Sequence, residues 1–207
     1  MCYNYRREGI VMRKTNILAI LISQLSYLLL LPFIIDLFHY LHSIVYVVVW
    51  LCLTLLVFFF VYLFRKQRIV MSKRFVFAGL IAYTICLLML LFMRPSNQSY
   101  HSYNLVPFET IFYYLSGEVK PLVAIYNLAA NIGLFIPYGT ALLLLPKKRP
   151  STAVLLAIPI AGVTIIELMQ WLTERGSLDI DDLLLNVLGV AIGYALTPIV
   201  RRVVTFF

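Results

Sequence analysis

Polar side chains that are rare inside apolar segments are concentrated in the second half of this sequence. Glu167 stands in the fifth of six long apolar runs, with Gln170 and Trp171 three and four residues later on the same face of a helix. Asn131 stands at membrane depth in the fourth run. A charged group at the centre of a bilayer costs about 2.5–3.5 kcal/mol on insertion scales, so such residues usually mark a functional site.

A second polar group lies between the fifth and sixth runs. Asp179 stands where the sixth helix should begin, and a carboxylate at that position caps the helix and complements its dipole. Asp182 and Asn186 continue the same stripe at helical spacing, and Arg175 is the natural counter-charge. The candidate cluster is therefore Asn131, Glu167, Gln170, Arg175, Asp179, Asp182 and Asn186. Each member alone is also explained as a cap or an interhelical hydrogen bond, worth on the order of 0.6 kcal/mol. The density of acids on one stripe favours a site.

Two kinds of chemistry suit these side chains. Carboxylates with one arginine and nearby aromatics at interfacial depth are suited to binding an amphiphile without turnover. Alternatively, Asp179 and Asp182 hold a divalent cation and Glu167 acts as a general base. Magnesium often takes part of its oxygen ligands from a substrate phosphate, so the small ligand set does not decide between the two. We assign no catalytic residue, metal or cofactor from the sequence.

The remaining chemistry-bearing residues give weaker signals. His39 and His42 are three residues apart, but they are better explained as polar residues at a membrane interface than as metal ligands. His101 is alone in a polar loop, and Ser177 has no histidine near it in sequence, so a serine-hydrolase triad has no support. The sequence contains no glycine-rich phosphate loop, and its three cysteines show neither metal spacing nor a disulfide framework.

The elements that must position these residues are membrane-spanning helices. A spanning helix needs roughly 20 apolar residues. The six predicted spans are 16–37, 44–64, 75–93, 126–145, 152–172 and 183–200. The 207-residue chain is 62% hydrophobic, well above the roughly 45–50% of soluble domains. We therefore predict an all-α polytopic membrane protein, with a three-helix N-terminal segment at 1–93 and a membrane core at 94–200.

The basic residues collect in alternate gaps between these runs. Most of the seventeen lie in the N-terminal tail, at 65–74, at 147–149 and at 201–202. By the positive-inside rule both termini are cytoplasmic, and the acids near the sixth helix face outward. A net charge of +8 arranged beside apolar runs favours anionic lipid of the inner leaflet as a partner, and not nucleic acid.

The gap between the third and fourth spans is unusually long. Within 94–125, the residues Leu105, Phe108, Phe112 and Leu115 fall near helical spacing, over a stretch too short to span a bilayer. Aromatic side chains are favoured at the membrane–water boundary. We therefore predict a re-entrant or interfacial segment at the outer face.

Helices four to six should form a packed core. Pro137 and Pro159 lie inside the fourth and fifth spans, where each frees a backbone carbonyl that protein must satisfy. Gly189 and Gly193 form a small-xxx-small pattern in the sixth span, which permits close helix packing. We assign these residues, together with Gly139, to helix packing.

The order of these motifs resembles the VanZ-like family of bacterial membrane proteins. The matching pieces are Asn131 to Pro137-Tyr-Gly139, Glu167-Leu-Met-Gln170, Arg175, Asp179 with Asp182, and Asn186 with Gly189 and Gly193. The segment Asn104-Leu-Val-Pro107-Phe108 resembles the family's Asn-Leu-x-Pro-Phe segment. The resemblance covers about 104–194. The Arg175-Gly176 order is one of several loop variants in the family, and the first two spans are extra to its shortest members.

The resemblance implies a bacterial protein of the cytoplasmic membrane. The family's named member lowers sensitivity to teicoplanin, which carries an acyl tail, and not to vancomycin, which does not. That contrast implies an effect at the outer surface, on lipid or on envelope precursors. The leading hypothesis is an envelope factor that binds an amphiphile, such as a membrane lipid, an acylated glycopeptide or a lipid-linked precursor. The alternatives are an intramembrane enzyme acting on a lipid-linked envelope precursor, or a small lipid transporter enlarged to a homo-oligomer through the sixth helix.

Overall fold

The computed structural model describes residues 2–38, 43–92 and 103–207. Seven helices and four short strands make up this part of the chain. The helices are α1 (Cys2–Phe38), α2 (Ile44–Phe64), α3 (Lys73–Phe92), α4 (Glu109–Leu115), α5 (Pro121–Leu144), α6 (Thr152–Leu172) and α7 (Ile180–Val203). The strands are β1 (Ile69–Met71), β2 (Tyr103–Asn104), β3 (Leu178–Asp179) and β4 (Val204–Phe206). His39, His42 and His101 lie outside the described residues.

Six of the described helices are long and apolar enough to cross a membrane, and α4 is not among them. The predicted all-α polytopic class is therefore confirmed, and a short helix does lie between the third and fourth spans. Two described helices begin well before the predicted spans: α1 begins at Cys2 and not near residue 16, and α5 begins at Pro121 and not near residue 126. Proline is well suited to the first helical position, because its fixed φ fits the helix and an N–H there would have no intrahelical partner.

The chain divides into two compact units. Unit 1 comprises residues 1–71 and 202–207, and unit 2 comprises 72–201. In unit 1, α1 and α2 form an antiparallel pair. Polar side chains join the two helices: the Tyr62 hydroxyl donates to Asn16, and the Trp50 indole donates to Gln24 Oε1 at 2.9 Å. Strand β1 pairs in parallel with β4.

In unit 2, helices α3, α5, α6 and α7 share one apolar core. Leu87 and Leu91 of α3, Phe135 of α5, Val163 of α6 and Val190 of α7 are buried against one another. Each helix therefore contributes one apolar face to the centre of the bundle, which fixes the directions in which its polar residues point.

The two ends of unit 2 differ in charge. At one end, Lys73 Nζ donates to the Leu145 carbonyl at 2.8 Å, and Arg201 Nη2 donates to the Leu143 carbonyl at 3.0 Å. Lys147 follows directly in the loop to α6. We call this the basic end. The opposite end, where α6 finishes and α7 begins, carries the aspartates from 179 to 182, and we call it the acidic end.

Glycines let α5 and α7 approach to backbone contact. A Cβ atom added at Gly139 would overlap with the carbonyl oxygen of Val190, and one at Gly189 would overlap with the carbonyl oxygen of Ile132. A Cβ atom at Gly193 would likewise meet the α5 backbone. The small-xxx-small pattern of α7 therefore lies directly on α5, as such patterns do in close membrane helix pairs.

A side chain satisfies the carbonyl that Pro159 frees in α6. Proline has no N–H to bond the carbonyl four residues earlier, which is that of Leu155. The Tyr194 hydroxyl of α7 donates to this carbonyl at 2.7 Å. The prediction that the freed group faces protein is confirmed at this position, and the bond ties α7 to α6 near the basic end.

Pro137 lies in α5 at the level where α3 contacts it. The Tyr83 hydroxyl of α3 donates to the Leu134 carbonyl at 2.8 Å, and the Tyr138 hydroxyl of α5 donates to Thr84 Oγ1 at 3.1 Å. The rings of Tyr83 and Tyr138 lie 5.7 Å apart. Two hydroxyls and two rings thus attach α3 to the proline-bearing part of α5.

Candidate functional site

The acidic end is built by a segment that arrives from far away in the sequence. Strand β2 pairs in parallel with β3, so that Tyr103 lies opposite Leu178 and Asn104 lies opposite Asp179. The chain then forms α4 and continues into α5. We call residues 103–115 the docked segment, because they lie against the start of α7.

Two buried aspartates hold the docked segment. Asp181 Oδ1 accepts from the backbone N–H of Phe108 at 2.6 Å, and its Oδ2 accepts from the N–H of Ile111 at 3.1 Å. Asp179 Oδ2 accepts from the Thr110 hydroxyl at 2.6 Å, and its Oδ1 accepts from the N–H of Asp181 at 2.9 Å. Asp181 is fully buried and Asp179 nearly so. Asp179 thus caps α7, as the sequence predicts, while Asp181 caps α4.

Side-chain hydrogen bonds within the docked segment shape its backbone for this capping. Asn104 Oδ1 accepts from the N–H of Val106, and its Nδ2 donates to Thr110 Oγ1, both at 3.0 Å. Phe108 has a left-handed backbone with φ of 70°, which turns the chain into α4. That conformation costs on the order of 1–3 kcal/mol for a residue with a side chain. The two charge-assisted bonds to Asp181 offset this cost and satisfy N–H groups that a helix start leaves open.

A second polar group lies between α5 and α7. Asn131 Nδ2 donates to Asp182 Oδ1 at 2.5 Å. One turn further along α7, Asn186 is 4% exposed, and its Oδ1 accepts no hydrogen bond. It lies on the helix face that carries Gly189 and Gly193 against α5. A buried acceptor without a donor costs about 1–3 kcal/mol, so a bound donor there would be favourable.

The polar face of α6 lies against α3 and the following loop. Glu167 and Gln170 are both buried. Gln170 Nε2 donates to the Leu91 carbonyl of α3 at 3.4 Å, and a Cβ atom at Gly176 would lie 3.2 Å from the Gln170 side chain. Arg175 is half-buried, and its backbone N–H donates to the Gln170 carbonyl at 2.8 Å. These contacts close the turn after α6.

The residues of the candidate cluster therefore take part in several separate contacts in the structure. Asn131 and Asp182 bond to each other directly. Asp179 instead bonds to Asp181 and Thr110, and Gln170 bonds to the backbone of α3. Asp179 accordingly acts as a structural tether of the docked segment.

Asp181 and Thr110 are functional residues that the predicted candidate cluster does not include. Asp181 does not lie on the stripe that runs along α7 from Asp179 at a spacing of three and four residues. Its importance comes from α4, whose first N–H groups need an acceptor. The signal available in the sequence was the pair of acids just before an apolar helix, combined with an upstream aromatic helix that has no side-chain cap of its own.

The proposed divalent-cation site gains no support from this geometry. Within the described residues, no group of three or more His, Cys, Asp or Glu side chains is placed to hold a metal ion. Both oxygens of Asp179 and one oxygen of Asp182 already accept hydrogen bonds. A cation bridging these two residues would compete with three donors.

Comparison with protein-family models gives a match over most of unit 2. A family model described as VanZ/LLP1 matches residues 77–201, which cover nearly all of unit 2, including the docked segment and the polar groups between α5 and α7. No curated protein and no solved structure matches the chain.

Proposed function

The chain belongs to the VanZ/LLP1 family, and from this premise we propose that it lowers bacterial sensitivity to teicoplanin-type lipoglycopeptides by binding an amphiphile at the outer face of the cytoplasmic membrane. Family membership and the six long apolar helices make it a VanZ-like, multi-pass envelope protein. Three features support the finer proposal: the charge difference between the helix ends, the apolar surface of the docked segment, and the polar groups beside it.

Charge asymmetry supports the orientation. Lys73, Lys147 and Arg201 lie at the basic end, and the aspartates lie at the other end of unit 2. Lysine and arginine near the ends of spanning helices favour the cytoplasmic side. The docked segment then faces the cell exterior, where glycopeptide antibiotics and the precursors they bind are found.

The exposed apolar surface of the docked segment is the observation that carries the proposal. Phe112 and Leu115 lie three residues apart on α4 and are 67% and 65% exposed. Phe108, immediately before the helix, is 53% exposed, and its ring centroid lies 6.4 Å from that of Phe112. Leu105 and Val106 extend this surface, with 60% and 59% exposure. Each square ångström removed from water contributes about 25 cal/mol. An acyl tail lying in the outer interface is the ligand that such a surface suits.

Polar groups also lie at the start of α7, which holds the docked segment through Asp181. Asp182 follows Asp181 in the chain and bonds to Asn131, and the unpaired Oδ1 of Asn186 lies one turn below. An amphiphile with a hydroxyl, amine or amide head would find acceptors within a few residues of the aromatic face. The pairing of an apolar surface with buried acceptors favours a lipid-like ligand with a donor-rich head.

The direct experiment is antibiotic susceptibility in a teicoplanin-susceptible Gram-positive host. We expect the wild-type protein to raise tolerance of teicoplanin and to leave tolerance of vancomycin unchanged, because only teicoplanin carries an acyl tail. Phe112→Ala should abolish the rise, since it removes a large exposed ring from α4. Phe75→Ala is the matched control: this ring is 70% exposed but belongs to α3 near the basic end, so tolerance should stay at the wild-type level.

The outcomes separate the parts of the proposal. With equal amounts of each protein in the membrane, an equal rise for both antibiotics would exclude the acyl tail as the recognised feature. Wild-type tolerance in Phe112→Ala would exclude the aromatic face. Absence of any rise with the wild-type protein would remove the antibiotic part of the proposal, and fluorescent acylated glycopeptide added to proteoliposomes would then test amphiphile binding directly.

A further inference from the structure

Unit 2 contains an apolar cavity that the proposed site at the acidic end does not use. Its volume is about 360 Å³, within the range of about 300–1,000 Å³ typical of ligand pockets. Side chains of α3, α5 and α6 line it, and Val190 of α7 closes its inner side. The cavity is thus large enough for a ligand of its own.

The cavity occupies the half of the bundle nearest the basic end. Along α5 its lining runs from Leu145 to Phe135, a distance of about 15 Å at the helical rise of about 1.5 Å per residue. The hydrocarbon core of a bilayer is about 30 Å thick. The cavity therefore matches the depth of a single leaflet.

The cavity wall offers little to a polar ligand. The Tyr138 hydroxyl donates to Thr84 Oγ1, and the Thr84 hydroxyl donates to the Leu80 carbonyl at 2.8 Å. These two hydroxyls are the polar side-chain groups of the lining, and they bond to each other and to the backbone. Apolar cavities about 150 Å³ in size stay dry and take up hydrocarbon molecules. Hydrocarbon is therefore the chemistry that suits this cavity.

Hydrocarbon can reach the cavity from the surface of unit 2. Phe77 and Ile158 both line it, and they are 57% and 49% exposed. Gly162 also lines it and is exposed, and a Cβ atom added there would meet nothing within 4 Å. These three exposed lining residues belong to α3 and α6, which are long and apolar enough to cross a membrane.

Basic residues lie beside the cavity at its rim near the basic end. We define this rim by the lining residues Leu145 and Pro146, and Lys73 Nζ donates to the carbonyl of Leu145 at 2.8 Å. Lys147 and Lys148 follow Pro146 and are exposed. Basic groups beside a membrane attract anionic headgroups, with about 1 kcal/mol per charge near the surface. A ligand with a hydrocarbon tail in the cavity would place its head among these cations.

We propose that this cavity binds one acyl chain of an anionic phospholipid from the leaflet at the basic end, with the lipid phosphate beside Lys73 and Lys147. The apolar lining selects the tail, and the cations at the rim select the negative charge. The proposal does not depend on amphiphile binding at the acidic end, because the two surfaces share no residue.

Photo-crosslinking of the full chain tests the proposal. The protein is reconstituted in phosphatidylcholine vesicles that contain a trace of phosphatidylglycerol with a diazirine near the end of one acyl chain. We expect labelled peptides from α3, α5 and α6 at the cavity lining. The same diazirine chain on phosphatidylcholine should label these peptides more weakly, by roughly fivefold for each charge contact it lacks.

Two sets of variants make the outcome decisive. Gly162 lines the cavity and an added Cβ there meets nothing within 4 Å, so Gly162→Leu should take up cavity space and strongly reduce labelling of the lining. Gly79 also has open space around it but lies outside the lining, so Gly79→Leu should leave labelling unchanged. Lys73→Gln combined with Lys147→Gln should remove the preference for phosphatidylglycerol and keep tail labelling. Wild-type labelling in Gly162→Leu would overturn acyl-chain binding, and equal labelling by both lipids in the wild type would overturn selection for negative charge.

Discussion

Replacing Asp181 by asparagine should release the docked segment while leaving the helix bundle intact. The carboxylate of Asp181 is fully buried and accepts the N–H groups of Phe108 and Ile111 through separate oxygens. Asparagine has nearly the same shape but offers only one oxygen, so one of the two bonds is lost. Hydrogen bonds to a charged group contribute about 1.5–3 kcal/mol each.

That loss converts into a measurable change in local opening. A free-energy change of about 1.5–3 kcal/mol corresponds to a factor of roughly 10–150 in the equilibrium between docked and released segments. Amide hydrogen exchange reports this equilibrium segment by segment. In lipid nanodiscs, peptides covering 105–115 should exchange faster by this factor in Asp181→Asn, while the centres of α5, α6 and α7 keep their wild-type rates.

A matched control removes a carboxylate that lies nearby but outside the contact. Glu118 is exposed in the loop between α4 and α5, so Glu118→Gln should leave exchange of 105–115 unchanged. Unchanged exchange of this peptide in Asp181→Asn would refute the tethering role of Asp181. A uniform rise across all of unit 2 would also refute it, because it would show that Asp181 stabilises the whole bundle and not the docked segment.

Two further predictions concern packing and orientation. Gly139→Ala should lower the melting temperature of the purified protein, because the added Cβ overlaps with the Val190 carbonyl and forces α5 and α7 apart, at a cost of about 1–3 kcal/mol. Gly133 has open space around it, so the control variant Gly133→Ala should keep the wild-type melting temperature. Equal melting temperatures for the two variants would contradict the close crossing of α5 and α7. In intact cells, an impermeant thiol reagent should label Ser177→Cys and should label Lys147→Cys only after permeabilisation, on a background with the native cysteines replaced. The reverse pattern would place the basic end outside and contradict the orientation.

Much of the architecture is readable from the sequence for a simple physical reason. A bilayer requires long apolar helices, so composition and run length alone indicate six spanning helices and the all-α class. Helix packing follows similar local rules: the spacing of Gly189 and Gly193 anticipates their close approach to α5, and Pro159 anticipates a carbonyl that needs a partner. The order of the polar motifs also suffices to indicate the family.

The roles of the aspartates required the tertiary structure. Helical spacing from Asp179 leads to Asp182 and Asn186, but the partners of Asp179 and Asp181 are Phe108, Thr110 and Ile111, about seventy residues away in the sequence. No periodicity within one helix encodes a contact of that kind, because it depends on where β2 and α4 come to lie against α7.

The cavity near the basic end likewise could not be predicted from the sequence. Leu80, Leu142 and Ile158 are ordinary apolar residues of three different spans, and nothing in their spacing distinguishes them from lipid-facing or core positions. A void arises only from the way three helices with particular side-chain volumes pack together. The sequence by itself therefore determined which segments are apolar enough to span a membrane and to which family the chain belongs, because these depend on local composition and motif order. Which carboxylates tether α4, and where hydrocarbon can enter, was decided by the tertiary structure, because both depend on distances between distant segments.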